Sequence, residues 1–331
     1  MNLLNKNFFI LITALLLSSC EEEITIDLPE SGGKMVLEGK IEKGMPPIIY
    51  LTETISFFSS ISVEKIQSAY IHNANITISN GDTTVKLKEY RSDSIQFFLN
   101  TLPPIFKLIY GNMLPEFLLK NNDTLPSGTS FFVYYFYTLD FNNINLSSIF
   151  LGEDGKNYSL TIKEGNRTLT GVTSIPVIKN LDSLWFEKTD NPLNDTNVIL
   201  WTQLTDSVLP GNNYRYFTRR NREPFFPNPY GSVFDDHLIN GKSLTFSVDR
   251  GRNRNVENEP GTGRTFNIGD TVTVKWCAID RDHYLFWRSL EADRRSVGNP
   301  FGSPTIIESN VEGGLGVWGG YGVVYQTIIA K

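Results

Sequence analysis

The sequence is poor in the residues on which hydrolytic and metal centres depend. Among 331 residues there are only 2 cysteines and 3 histidines. His72, His237 and His283 are far apart in sequence. No His-Glu-x-x-His, Cys-x-x-Cys, glycine-rich phosphate loop or Gly-x-Ser-x-Gly elbow occurs. Neither a metal site nor a bound cofactor is expected. A basic excess is lacking as well: 30 Lys and Arg face 36 Asp and Glu, a formal net charge of −6. A surface that must neutralise phosphates would be basic, so no nucleic-acid partner is expected. No apolar stretch reaches the roughly 20 residues that span a bilayer as a helix.

What is present favours a folded, strand-rich body. Hydrophobic residues make up 40% and aromatics 12%, with 22 Phe and 14 Tyr. That is enough apolar material for a core, and the aromatic bias leans toward strands. The N-terminus reads differently. Asn5 and Lys6 precede the apolar run Phe8 to Leu17, which is too short to span a membrane and ends in Leu17-Ser18-Ser19-Cys20. This resembles the lipobox of bacterial lipoproteins and implies a thioether-linked diacylglycerol on the Cys20 sulfur. Residues 1–19 would be the signal peptide. Two or three acyl chains anchor stably, at about 0.8 kcal/mol per buried methylene. Glu21, Glu22 and Glu23 follow at once and resemble the surface-export signal of Bacteroidota lipoproteins, at the head of an acidic tether over 20–33. With Cys20 taken by lipid, Cys277 has no partner for an internal disulfide. It sits in an alternating run, Val272 to Ala278, as a buried small hydrophobe would.

Alternation predicts strands at Met35–Ile41, Ile48–Leu51, Ala74–Ile78 and Thr84–Leu87, with a hairpin turn at Asn80-Gly81-Asp82. Further strands are expected at Asn157–Ile162 and Leu169–Ile175. These read as an immunoglobulin-like β-sandwich over 34–176. Residues 96–150 interrupt the pattern as an apolar insertion, suited to core packing or to a partner face. The remainder, 177–331, reads as a β-rich C-terminal domain. Strands are predicted at Val198–Leu204, Tyr214–Thr218, Ser243–Val248 and Thr271–Ala278. One helix is predicted over Asp280–Arg295, with Asp280 or Asp282 as its cap. The tail from Val311 is dominated by glycine and aromatic residues, which suits tight turns and close backbone approach. The fold class expected is all-β with one helix.

Two constellations could carry chemistry. Asp235-Asp236-His237 is the densest acid/base cluster, suited to a cation or to proton transfer, but it lies beside the Asn240-Gly241 turn. Arg215, Arg219, Arg220 and Arg222 are followed by Phe225 and Phe226, and then by Arg250, Arg252, Arg254 and Arg264. Guanidinium forks beside aromatic faces suit a carboxylate, phosphate or sugar-acid ligand. Arg219, Arg220, Arg222, Asp235, Asp236 and His237 are therefore the candidate ligand-binding residues. Asp followed by Ser or Thr, as at Thr83, Ser183 and Thr271, resembles a Bacteroidota O-glycosylation sequon. The same pair also ends turns before strands.

In order, several landmarks resemble the Bacteroidota lipoprotein family DUF4249. They include Val36-Leu37-Glu38-Gly39, Asn157-Tyr158-Ser159-Leu160, Leu181-Asp182-Ser183-Leu184 and Phe234-Asp235-Asp236-His237. Asp282-His283-Tyr284-Leu285-Phe286-Trp287 and Asn310-Val311-Glu312-Gly313-Gly314 close the series. The resemblance implies a β-rich outer-membrane lipoprotein, similar in setting to accessory lipoproteins of TonB-dependent transporters, and no established activity. The expected role is a non-enzymatic binding or accessory module at the outer membrane, facing the cell surface. Its expected partners are the membrane through the lipid and a TonB-dependent receptor in nutrient uptake. The alternatives are a glycan or peptide hydrolase using Asp235, Asp236 and His237, or an adhesive protein using the 96–150 insertion.

Overall fold

The computed structural model describes residues 33–56, 60, 62–92, 133–140, 149–189, 196–228, 231–237, 239–252, 263–296 and 305–331. The chain from Gly33 to Lys331 forms one compact unit. In chain order its strands are β1 Met35–Glu42, β2 Ile48–Glu53, β3 Asn75–Ser79, β4 Thr84–Arg91, β5 Tyr135–Leu139, β6 Asn157–Glu164, β7 Arg167–Ser174, β8 Ser183–Lys188 and β9 Asn197–Thr205. They continue as β10 Asn213–Arg220, β11 Phe226–Pro227, β12 Val233–Asp235, β13 Ser243–Val248, β14 Phe266–Asn267, β15 Thr271–Ile279, β16 Val311–Glu312 and β17 Leu315–Ile329. The described helices are α1 Val63–Ser68 and α2 Arg281–Ser296. The all-β class holds, and the long helix falls where the sequence places it.

Local chemistry explains these elements. In β6, Tyr158, Leu160 and Ile162 are buried while Asn157 and Ser159 are exposed, the period of two that a half-buried strand requires. The β3–β4 hairpin turns on Asn80, whose Oδ1 accepts from the N–H groups of Asp82 (3.1 Å) and Thr83 (2.8 Å). Helix α2 is capped by Asp280, whose Oδ1 accepts the His283 N–H at 2.9 Å. The other carboxylate oxygen takes the Ser174 N–H at 3.0 Å and the Thr173 hydroxyl, so the cap also ties the helix to β7.

Among the described residues, thirteen strands share one sheet, ordered β11-β10-β15-β17-β1-β2-β5-β4-β3-β6-β7-β16, with β12 on β10. A smaller sheet orders β13-β9-β14, with β8 on β9. The main sheet runs straight through the domain boundary expected near residue 176. The join is β17 against β1, a parallel pair with Trp318 opposite Gly39. Within the span expected to be an insertion, residues 135–139 are a sheet strand, β5, seated between β2 and β4. Most of the rest of that span lies outside the described residues.

Among the described residues two large apolar cores result, beside a smaller cluster of Cys277, Ile279, Tyr284, Tyr321 and Val323. The first is aliphatic and holds Leu37, Ile49, Ile76, Leu160 and Ile162 around Trp318. The indole is fully buried and its N–H donates to the Tyr158 carbonyl at 2.9 Å. Gly39 makes room for it: a Cβ there would meet the indole at 2.8 Å. Gly320 likewise lets β17 lie against β7, since a Cβ would meet the Ser174 carbonyl oxygen at 2.1 Å. The second core gathers Leu200, Val248, Phe266 and Val274 around Trp276, on which Tyr214 stacks at 5.0 Å.

Candidate functional site

Alternation along β10 and β15 sorts their side chains onto two faces. Tyr214 and Tyr216, with Val274 and Trp276, enter the second core. Arg215, Phe217 and Arg219 take the other face, opposite Cys277, Lys275 and Thr273 of β15. Those three are opposite Val323, Tyr325 and Thr327 of β17 in turn. One face of the sheet thus carries cations interleaved with aromatic rings.

The part of this face next to α2 is closed and its charges are matched. Arg215 is only 3% exposed. It donates to the Tyr321 hydroxyl at 2.7 Å and to Ser232 Oγ at 3.1 Å, and its guanidinium lies 3.5 Å from the Trp287 ring centre. Ser232 passes the contact on: its hydroxyl and N–H donate to the Glu291 carboxylate at 2.6 and 2.9 Å. Lys275 donates to Glu42 Oε1 at 2.6 Å, and Lys40 reaches the same oxygen at 3.3 Å. Burial pushes the Glu42 carboxyl up, but the two ammonium groups outweigh it and hold it down to about 2. Burial would lower Lys275, and Glu42 overrides it, so the lysine is raised and stays charged. His283 is buried against the Gly320 carbonyl; burial first, then the Arg215 charge, drive it down to about 3, so it is neutral. Burial pushes the Cys277 thiol up to about 12, which makes it an inert core group, as the sequence suggested.

Farther along β10 the same face opens. Arg219 lies with its guanidinium 4.6 Å from the Phe225 ring centre, and Phe225 meets Tyr325 at 5.6 Å. Tyr325 is 47% exposed. Among the described residues, the buried Arg219 Nε has no hydrogen-bond partner and no carboxylate pairs with the side chain. Arg220, by contrast, pairs with Glu223, its Nε donating at 2.8 Å, and Arg250 donates to the same oxygen at 3.2 Å. The Gly251 N–H donates to Thr218 Oγ1 at 2.6 Å and the Arg252 N–H to the Pro227 carbonyl at 3.4 Å. The two arginine groups that the sequence separates are therefore brought side by side. Arg222 is exposed, and Arg254 lies outside the described residues.

The acid/base triplet does not converge. Asp236 is 4% exposed and committed to the backbone: its Oδ2 accepts from the Gly211 and Asn212 N–H groups at 2.9 and 2.8 Å and from the Asn212 amide at 3.1 Å. It holds the 206–212 loop in place. Asp235 pairs with Arg281 at 3.1 Å; burial acts to raise its carboxyl, and Arg281 with the His237 N–H brings it below the usual range. His237 is exposed at the turn. The triplet also lies at the far end of β10 from Arg219, because Asp235 is opposite Asn213. Six residues of strand put them roughly 20 Å apart. Arg219, Arg220 and Arg222 therefore form no joint site with Asp235, Asp236 and His237.

The sequence reading missed Tyr325, Lys275 and Glu42. The signal for the first lay in Tyr321-x-Val323-x-Tyr325-x-Thr327, a period of two inside the glycine-rich tail. Cys20, Glu21, Glu22 and Glu23 lie outside the described residues. Of the Asp-Thr pairs, Asp270 is structural, accepting from the Asn267 N–H and the Asn221 amide at 2.9 and 2.8 Å. His72 pairs through Nδ1 with Glu89 beside a shallow depression that Tyr135 and Arg91 also line. Among the described residues, no three His, Cys, Asp or Glu side chains are grouped to hold a metal ion, and no helix is long and apolar enough to cross a membrane.

A family model described as "Domain of unknown function (DUF4249)" matches residues 21–327. No curated protein matches the chain.

Proposed function

The chain belongs to the DUF4249 family, and from that premise we propose that it is a lipid-tethered binding or accessory module rather than an enzyme. The observation that carries the reading is how the polar groups are used. Asp235, Asp236 and His237, the candidates for proton transfer, point to different tasks: an ion pair, a loop and solvent. The Arg219, Phe225 and Tyr325 side chains share an open face without an acid partner for the arginine among the described residues. Such a face suits holding a ligand more than transforming one.

The tether rests on Leu17-Ser18-Ser19-Cys20, with lipid on the Cys20 sulfur. Glu21, Glu22 and Glu23 support export to the outer face of the outer membrane. In that setting the partner is a TonB-dependent receptor engaged in nutrient uptake. Affinity recovery of the chain from detergent-solubilised membranes of its native host tests this. A porin-sized receptor recovered with it is the expected result; recovery as a free monomer under cross-linking would contradict the accessory role.

A further inference from the structure

We propose that the Arg219–Phe225–Tyr325 corner binds an acidic sugar residue, a uronic acid or sulfated sugar presented by a glycan. This deepens the binding reading above and rests on it. Three features of the corner point to that chemistry. Arg219 supplies a half-buried guanidinium set on an aromatic face; its Nε is buried and unbonded and no described acid pairs with the side chain, so its charge is left for an anionic group from outside. Phe225 and Tyr325 offer two faces tilted 52° to each other, and Tyr325 is half-exposed. The weakly polar C–H face of a sugar ring packs on such a surface. In the row of Arg219, buried Thr273 shares a 2.9 Å hydroxyl contact with exposed Thr327, which leaves the Thr327 hydroxyl to meet a sugar hydroxyl. Charge, ring and hydroxyl lie within two adjacent rows of three strands. A bare anion would use only the first of them.

The neighbouring cations are already committed. Lys275 is matched by Glu42, Arg215 reaches Glu291 through Ser232, and Arg220 is matched by Glu223. An added anion is therefore drawn to Arg219, and the specificity of the corner depends on that one side chain.

The test is calorimetric titration of the full chain in detergent with three oligomers: oligogalacturonate, neutral galacto-oligosaccharide and oligoglutamate. Oligogalacturonate should bind measurably, and the other two should bind at least tenfold more weakly. Arg219→Gln and Tyr325→Ala should each weaken the oligogalacturonate by about tenfold, the loss of one charge-assisted contact or one ring face. Arg222→Ala and His237→Ala should stay within about twofold. Tyr325 is half-exposed, so its variant keeps the fold, and an unchanged unfolding midpoint checks this. Absence of heat with oligogalacturonate, equal binding of oligoglutamate, or an unaffected Arg219→Gln would each overturn the proposal. Equal binding of oligoglutamate would make the corner an acidic-peptide contact. If the receptor is still recovered while oligogalacturonate fails, the sugar assignment falls and the accessory role stands.

Discussion

The two faces of β1 and β17 make opposite use of burial. On one face, Leu37 and Ile41 of β1 and Trp318 of β17 sit in a largely apolar core whose polar contacts are neutral hydrogen bonds, such as the indole N–H on the Tyr158 carbonyl and the Tyr137 hydroxyl on the Ile71 carbonyl. On the other face, Lys40 and Glu42 of β1 and Tyr321 of β17 face Lys275 and Arg215, and burial is tolerated through matched charge. The first face is stabilised in proportion to apolar area and to how well the indole fits. The second face gains little net stability from its ion pairs, because desolvation offsets their attraction, but it is intolerant of losing one partner. It also sets up the open corner: with Lys275 matched by Glu42 and Arg215 held by Tyr321 and Ser232, Arg219 is, among the described residues of this face, the cation without an acid partner or a hydrogen bond at its Nε.

Breaking one partner of the charged face should have the largest effect. Lys275→Met leaves Glu42 buried with only Lys40 and should cost about 3–5 kcal/mol by chemical denaturation. Glu42→Met combined with Lys275→Met should recover most of that loss; if the double variant is no better than the single, the charges are not coupled as described. On the aliphatic face, Trp318→Ala should cost about 3–5 kcal/mol, mostly from lost area and a cavity, with the lost indole hydrogen bond to the Tyr158 carbonyl added. Gly39→Ala should cost about 1–3 kcal/mol, because its methyl meets the indole and Ile49. Acid should separate the faces further. Unfolded His283 takes a proton near 6.5, but the folded one refuses it down to about 3. The unfolded state therefore binds more protons across that window, and stability falls as pH drops through it. Glu42 adds a second loss between 4.5 and about 2, where the unfolded carboxyl is protonated and the folded one is not. A His283→Leu variant should lose the first part of that slope, by a few kcal/mol in span, and keep the second. The smallest effect belongs to Arg222→Ala and His237→Ala, each within about 0.5 kcal/mol.

Legibility in the sequence followed the same division. Strands with one buried face were readable, because Tyr158, Leu160 and Ile162 alternate with polar residues. Helix α2 was readable from Asp280 and the apolar positions behind it. β17 was not, although it links the two halves of the sheet. Gly316, Gly319, Gly320 and Gly322 look like turn residues, and nothing local shows that they are small because β1, His283, β7 and the Pro176 backbone beyond it press on them. β5 was hidden because Tyr135–Leu139 has buried or half-buried residues throughout and so no alternation. At the candidate site, the arginine and phenylalanine types were visible, but their sorting was not. Arg215 and Arg219 lie four residues apart on one strand; the first is spent on Tyr321 and Ser232, the second is open. Only the position of α2 and its Glu291 makes that distinction. Asp235-Asp236-His237 misled for a related reason: adjacent residues on an extended strand end point in different directions.

The tether remains the claim on which the placement of every surface depends. Intact-mass spectrometry of the chain extracted from its native membrane tests it directly. The account predicts a polypeptide that begins at Cys20 and carries the added mass of a thioether-linked diacylglycerol. A mature chain that starts elsewhere, or one with an unmodified Cys20 recovered without detergent, would contradict it.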